Sequence, residues 1–369
     1  MKYNKRIAGF ILSVVMGATA LVGCGTSIDD TAVALTVGEE DVTLGVINFY
    51  ARYQAAVTET YYSSFMGDDM WALDMGDGTT YQDSVKDGIV TTFEELVVIR
   101  QHAEALGVSL TEEELAAIDA VAEEFYNENE EEIRDKVSGT KENIAEVLEL
   151  FAYDVKCKPV MVQDVDTEVS DEEAAQKKMT YVFFSFTTTD DEGESVTMTD
   201  EEKETLKASI EAMIEAAAES DLYTVTEAEG YSPYERTFDI ETTSPNTDLI
   251  AEVDALAVGE CTSIIETDSG YYVAQLTSEF DEEATETEKE TIITERETEL
   301  YNATIQEWLA EIEVVVNESE IAKIDFEALT VWMATEETVT EETVTEETVT
   351  EETVTEETVT EETVTEEAE

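Results

Sequence analysis

Chemistry-bearing side chains are few in this chain of 369 residues. It holds one histidine, His102, and three cysteines, Cys24, Cys157 and Cys261. A single imidazole, with no CxxC pair and no Cys/His cluster, does not build a zinc site of the usual four-ligand kind. Cys157 and Cys261 each lie in an apolar-leaning stretch and read as two small buried thiols rather than a disulfide. His102 falls on a helix and reads as a packing or surface residue. No P-loop, GxSxG, HExxH or GxGxxG occurs in a fitting context. Asp plus Glu number 91 against 19 Lys plus Arg, so paired carboxylates carry little information about acid–base catalysis. No cofactor and no metal site is expected.

The net charge of −72 repels nucleic acid and anionic membrane surfaces and leaves cations and basic unfolded chains as the partners it attracts. The N-terminus reads MKYNKRIAGFILSVVMGATALVGCG. Lys2, Lys5 and Arg6 precede an apolar run from Ile7 to Leu21 that is too short and small-residue-rich for a comfortable span. That layout is a secretory signal. It ends in Leu-Val-Gly-Cys, which matches the bacterial lipobox, and so predicts that Cys24 is acylated. No other apolar stretch is long enough to cross a bilayer.

The elements follow from periodicity. Val33, Leu35 and Val37 alternate and predict a strand, with a turn at Gly38 to Asp41. Thr43 is placed to cap a helix carrying Val46, Phe49, Tyr50 and Tyr53. Residues 65–80 read as a loop. A second helix carries Val85, Ile89, Phe93, Leu96 and Val97, stopped by Gly107. Thr111 and Glu114 predict a capping box, an acidic helical stretch follows around Glu128–Glu132, and another helix runs from Ile144 to Val155. TYVFFSF (180–186) predicts a buried strand. Thr199 and Glu202 predict a second capping box, ahead of the stripe Leu206, Ile210, Met213, Ala217. Residues 249–256 read as a helix, and 263–266 and 271–276 as strands. The order β-α-(loop)-α-β-β predicts an α+β unit. A long helix from Glu282 to Glu313, a short strand at 314–316, and a packed segment with Ile321, Ile324 and Phe326 complete the folded part.

The end is a repeat: six copies of EETVT from Glu336 to Thr365, then EEAE. A five-residue period advances ~500° per repeat on a helix, so its valines make no stripe, and on a strand they alternate faces. A disordered, extended acidic tail is expected, at most a weak calcium binder.

Two stretches carry a resemblance. LTVGEEDVTLGVINFY and EELVVIRQHAEALGVSLTEEEL resemble the N-terminal region of PrsA/SurA-type foldases. LAVGECTSIIETDSGYYVAQL resembles the closing segment of a parvulin (PpiC-type) peptidyl-prolyl isomerase domain. The resemblance implies an α+β protein: a mainly helical chaperone lobe completed by a C-terminal helix, with a parvulin-like domain inserted. The implied division is 1–24 signal, 25–175 helical lobe, 176–280 parvulin-like domain, 281–333 C-terminal helix packed on the lobe, and 334–369 tail.

By the same resemblance, Tyr181 and Tyr272 stand where the two active-site histidines are expected, on neighbouring strands and one face. Pro245 and Leu249 fall at the proline-ring pocket, and ERTFDI (235–240) replaces a glycine-rich segment. An X-Pro bond isomerises over a barrier near 20 kcal/mol, and catalysis needs a shaped apolar slot and preorganised polar groups. A phenol does not relay protons as imidazole does. The implied reading is a lipid-anchored extracytoplasmic foldase or chaperone for unfolded secreted proteins, its isomerase unit weak or inactive. Two alternatives stay open: an active isomerase with an altered site, and a surface-binding lipoprotein with an acidic spacer.

Overall fold

The computed structural model describes residues 16–20, 28–67, 69–76, 78–189 and 193–333. Cys24, expected to be acylated, and the EETVT tail, expected to be extended and disordered, lie outside the described residues. The chain divides into two compact units: one formed by residues up to Val160 together with those from Ile305, the other by Met161–Thr304.

The first unit draws on both parts of the chain. Its three-stranded antiparallel sheet has β2 (Val33–Val37) in the centre, flanked by β3 (Glu40–Thr43) and by β10 (Val314–Val316). Val314 lies opposite Val37 and Val316 opposite Leu35, while a bulge between Val33 and Leu35 breaks the alternation and leaves Val33 exposed. A second, two-stranded ladder pairs β1 (Met16–Ala20) with β11 (Leu329–Met333).

Helices α1 (Leu44–Met66), α2 (Tyr81–His102), α3 (Glu112–Glu128), α4 (Glu131–Lys136) and α5 (Lys141–Met161) supply most of the rest. Phe49 meets Phe125 edge-on at 5.2 Å, and Tyr50 meets Phe93 at 5.6 Å. Such contacts between helical stripes bury the apolar faces that the spacing predicted. The acidic stretch at 128–132 is broken at Asn129, which ends α3 in extended backbone. The loop before α2 holds a single 3-10 turn at Met70–Ala72, with Trp71 packed between Tyr81 and Phe326.

In the second unit a four-stranded antiparallel sheet has the order β7 (Tyr234–Phe238), β4 (Lys177–Ser185), β9 (Gly270–Ser278), β8 (Ile265–Glu266). Helices α6 (Asp200–Ala217) and α7 (Leu222–Ala228) cover one face through Leu206, Ile210, Met213 and Leu222 against Val182, Phe184, Tyr271 and Val273. Helix α8 (Thr247–Asp254) covers the other through Leu249, Ile250 and Val253 against Met179, Phe238, Ala274 and Leu276. The β-α-(loop)-α-β-β order needs correction: a small hairpin, β5 (Thr187–Thr189) and β6 (Ser195–Thr197), precedes α6, and the irregular stretch before α8 contains α7 and β7. Strand β7 escapes a pattern search because it is a polar edge strand in which only Phe238 is buried.

Residues 161–175 and α9 (Glu282–Ala310) as far as Thr304 also belong to this unit. Lys289 binds Asp171 at 2.5 Å, and Arg296 binds Glu173 at 2.5 Å. The last turn of α9, from Ile305, belongs to the first unit, as does the short helix α10 (Glu318–Ile321). Among the described residues no helix is long and apolar enough to cross a membrane.

Candidate functional site

The closing segment TDSGYYVAQL is built as a hairpin. Thr267 N–H and Oγ1 donate to Gly270 O at 2.9 and 2.8 Å. Gly270 has to be glycine: a Cβ there would lie 2.4 Å from Phe184 O and 2.6 Å from the Phe183 ring. The turn therefore sets β9 tightly against β4, with Tyr272 opposite Phe183 and Ala274 opposite Tyr181.

Directly opposed residues share a face of an antiparallel sheet, and so do residues two apart along a strand. Tyr181 and Tyr272 are therefore diagonal neighbours on the α8 face. Tyr234, opposite Tyr181 on β7, and Phe183 join them. The rings form two pairs: Tyr181 on Tyr234 with centroids 5.5 Å apart, and Tyr272 on Phe183 at 4.6 Å. Burial first, and then the neighbouring Tyr181 phenol, push the Tyr272 phenol above its ordinary value. Tyr272 is thus a neutral hydroxyl at physiological pH, able to donate and accept one hydrogen bond but not to shuttle charge.

Leu249 is fully buried in the cluster against which Tyr181 and Tyr272 pack. Its N–H is capped by Asn246 Oδ1 at 2.9 Å, which fixes the start of α8. Pro245 follows a cis peptide bond at Ser244, and Ser244 Oγ accepts from Arg236 of β7 at 3.1 Å. Of the four positions singled out, three meet on one aromatic face; Pro245 flanks it, half-buried, at the entry to α8. What sequence reasoning missed is Tyr234, visible only once β7 is known to pair with β4.

On the other face, Gln275 Oε1 accepts from Leu222 N–H at 2.9 Å while its Nε2 donates to Gly259 O at 2.9 Å. An open groove of about 710 Å³ lies between Ile214 of α6, with Ala218 at that helix's C-cap, and the 256–261 loop, with Cys261 in its wall. Burial pushes the Cys261 thiol up to about 11, and burial likewise takes Cys157 to about 11. Both are protonated free thiols at neutral pH, unsuited to attack or metal binding. Among the described residues no cluster of His, Cys, Asp and Glu has the arrangement of a metal site.

The first unit carries a surface of a different kind. Helix α1 is buried from Leu44 to Ala56 apart from the half-buried Tyr53 and Gln54, but its last turns expose Tyr61 (68%), Tyr62 (54%) and Phe65 (90%). Leu73 and Met75, in the loop that Trp71 ties back to Glu59 through a 2.5 Å hydrogen bond, are exposed beside them in sequence. Tyr61, Tyr62 and Phe65 are thus large apolar side chains left exposed at one end of α1 in a strongly acidic chain.

No family model matches the chain, and no curated protein matches it. Solved structures similar to it are PrsA/SurA-like foldases and chaperones. The foldase PrsA of Streptococcus pneumoniae is 16% identical, over 69% of this chain and 97% of that one, with a TM-score of 0.30. The PrsA peptidylprolyl isomerase of Bacillus cereus is 14% identical, over 67% and 90%, at 0.30. A SurA-like chaperone structure from Campylobacter jejuni is 12% identical, over 78% and 99%, at 0.27. These values do not assign the chain to a family.

Proposed function

We propose that this protein is a lipid-anchored, extracytoplasmic foldase or chaperone that binds unfolded secreted chains. The division of labour we infer is a helical chaperone lobe built from both chain regions and an inserted parvulin-like unit with little or no isomerase activity. Cys24 is the proposed point of acylation. The observation that carries the reading is the exposed set Tyr61, Tyr62, Phe65, Leu73 and Met75. These side chains offer sequence-tolerant apolar contact, while the net charge of −72 repels acidic folded surfaces and keeps the complex soluble.

The second reading, an altered isomerase, is favoured by one observation: Tyr181, Tyr234, Tyr272 and Leu249 share a face. Against it stand the missing imidazoles and the burial of Leu249, which leaves its side chain unavailable to a proline ring.

Two assays run together test the proposal. Aggregation of a reduced model client should be suppressed in proportion to stoichiometry, and Tyr61→Ser with Phe65→Ser should weaken that protection several-fold. A proline-limited refolding phase should keep its rate at catalytic protein concentrations. Acceleration of that phase establishes the isomerase reading. Indifference in both assays removes the chaperone reading and favours a surface-binding lipoprotein. Cys24→Ser should release the protein from membranes or leave its signal uncleaved.

A further inference from the structure

In this structure the apolar leader doubles as a β-strand. Residues Met16–Ala20 lie in the stretch that the signal reading removes, yet they pair along the whole of β11, from Met16 opposite Met333 to Ala20 opposite Leu329. The far edge of β11 is closed by α1. Met333 N–H donates to Thr60 Oγ1 at 2.8 Å, and Leu329 O accepts from Arg52 Nη1 at 3.1 Å. Backbone polar groups of a strand alternate between its two edges. Leu329, Val331 and Met333 therefore turn theirs toward α1, and Thr330 and Trp332 turn theirs toward the β1 side. The partner strand obeys the same parity. Met16 N–H points away from β11 and donates to Asn129 Oδ1 at 2.7 Å, in a buried position. Gly17 and Thr19, opposite Trp332 and Thr330, make the ladder.

Arg52 anchors this arrangement. Burial pushes its guanidinium down to about 10, and the nearby Asp325 charge opposes the shift. Its donors hold Asp325 O and Leu329 O at 3.0 and 3.1 Å. Val331 is fully buried. Strand β11 is thus fastened by its α1 edge and its core side chain, without need of β1.

We infer that the β1 position is a strand-addition site: once the leader is cleaved, the Thr330 and Trp332 edge of β11 receives an extended, uncharged segment of a client polypeptide. The occupant's chemistry is read from the chain's own insert, Met-Gly-Ala-Thr-Ala, set against Leu-Thr-Val-Trp-Met. Neither strand carries a charge. Main-chain hydrogen bonds give affinity without regard to sequence, and Asn129 Oδ1, oriented by donation from its Nδ2 to Phe125 O at 2.9 Å, receives one further N–H. Thr60, which holds the opposite edge of β11, precedes the exposed Tyr61 and Tyr62 of the same unit. The inference rests on the chaperone and leader readings and names where in the first unit a client backbone is held.

The test uses the processed full chain extracted from membranes and a fluorescent peptide of residues 14–21, VVMGATAL, carrying terminal lysines for solubility. Anisotropy should report saturable binding. N-methylation at the Gly17 and Thr19 positions, whose N–H groups face β11, should weaken it at least tenfold. N-methylation at the Ala18 position, whose N–H faces away, should cost less than threefold. Amide exchange over 329–333 should slow at least tenfold on binding. Equal affinities for the three peptides overturn strand addition, and so does absence of binding by a chain that still suppresses aggregation; either leaves the chaperone reading standing. A processed chain that suppresses no aggregation yet binds with the stated pattern keeps the strand site and removes the chaperone reading. Purified chain that still carries residues 16–20, or that closes this edge by pairing with a second copy, overturns the inference.

Discussion

His102 lies flat against Trp308, with ring centroids 4.0 Å apart and planes 2° from parallel. The imidazole Nδ1 sits 2.8 Å from Val98 O, a spacing at which Nδ1–H donates to the carbonyl and fixes the ring on α2. The chain's one histidine is used as a flat surface that receives the last turn of α9.

That role has a measurable consequence. His102→Ala removes one ring of a stacked pair, a contact of about 1 kcal/mol. All three tryptophans, Trp71, Trp308 and Trp332, lie in the first unit, so tryptophan fluorescence follows that unit alone. The variant should melt a few degrees lower by this signal and shift its folded-state emission to the red. An unchanged melting curve would remove the packing role.

The capping boxes at Thr111 and Thr199 were legible, the one at Thr80 was not, and the first carries a second prediction. Thr111 N–H donates to Glu114 Oε2 at 2.8 Å, and Glu114 N–H donates back to Thr111 Oγ1 at 3.2 Å. The same carboxylate accepts from Lys156 Nζ at 2.6 Å. Thr111→Ala should lower the stability of the first unit by about 1 kcal/mol, while Thr111→Ser should be close to neutral, both read from denaturant midpoints. A null result for alanine would mean that the Lys156 contact alone holds the start of α3.

What could be read in advance was what is local. Thr199–Glu202 forms its box as the spacing demanded, the stripe from Leu206 to Ala217 is buried, and Val314–Val316 is a strand. Tyr181 and Tyr272 do share a face. The strands β7 and β11 were not legible, because their signal is non-local. Tyr234–Phe238 is polar and becomes a strand only by pairing with β4, and Leu329–Met333 acquires its order from Arg52 and Thr60 of α1. Thr43 shows the opposite limit: it occupies the N-cap of α1 in extended backbone, yet its side chain makes no capping bond.

Asp239, just beyond β7, supplies a pH prediction. Burial pushes its carboxyl up, but hydrogen bonds from the Gln176 amide and the Thr242 hydroxyl, with those from the Glu241 and Thr242 N–H groups, outweigh that and hold it below the usual carboxylate range. A folded-state value below the unfolded one contributes stability above the unfolded carboxylate range, and the contribution is lost as pH falls through the lowered value. Asp239→Asn should therefore destabilise the second unit at pH 7, with wild type and variant converging in acid once the pH is below the lowered value. Amide exchange in β7 and β4 at the two pH values measures it. A gap that persists unchanged in acid would assign the effect to geometry rather than charge.

The tyrosine pair decides whether the sheet of the second unit is scaffold or catalyst. Tyr181 and Tyr272 each spend their ring on a neighbour, Tyr234 and Phe183, and both rest on the cluster that contains Leu249. If the pair is structural, the rings matter and the hydroxyls do not. The double variant Tyr181→Phe with Tyr272→Phe should then cost at most about 1 kcal/mol, the scale of one lost hydrogen bond, and leave aggregation suppression intact. Tyr272→Ala should cost several times more, because it opens a cavity beside Phe183 and Leu249. Measured by amide exchange in β4 and β9 alongside a prolyl-isomerase assay, that ordering assigns the face to packing. A double phenylalanine variant that kept its stability but lost a measurable isomerisation rate would instead make the two phenols the working groups of an altered active site.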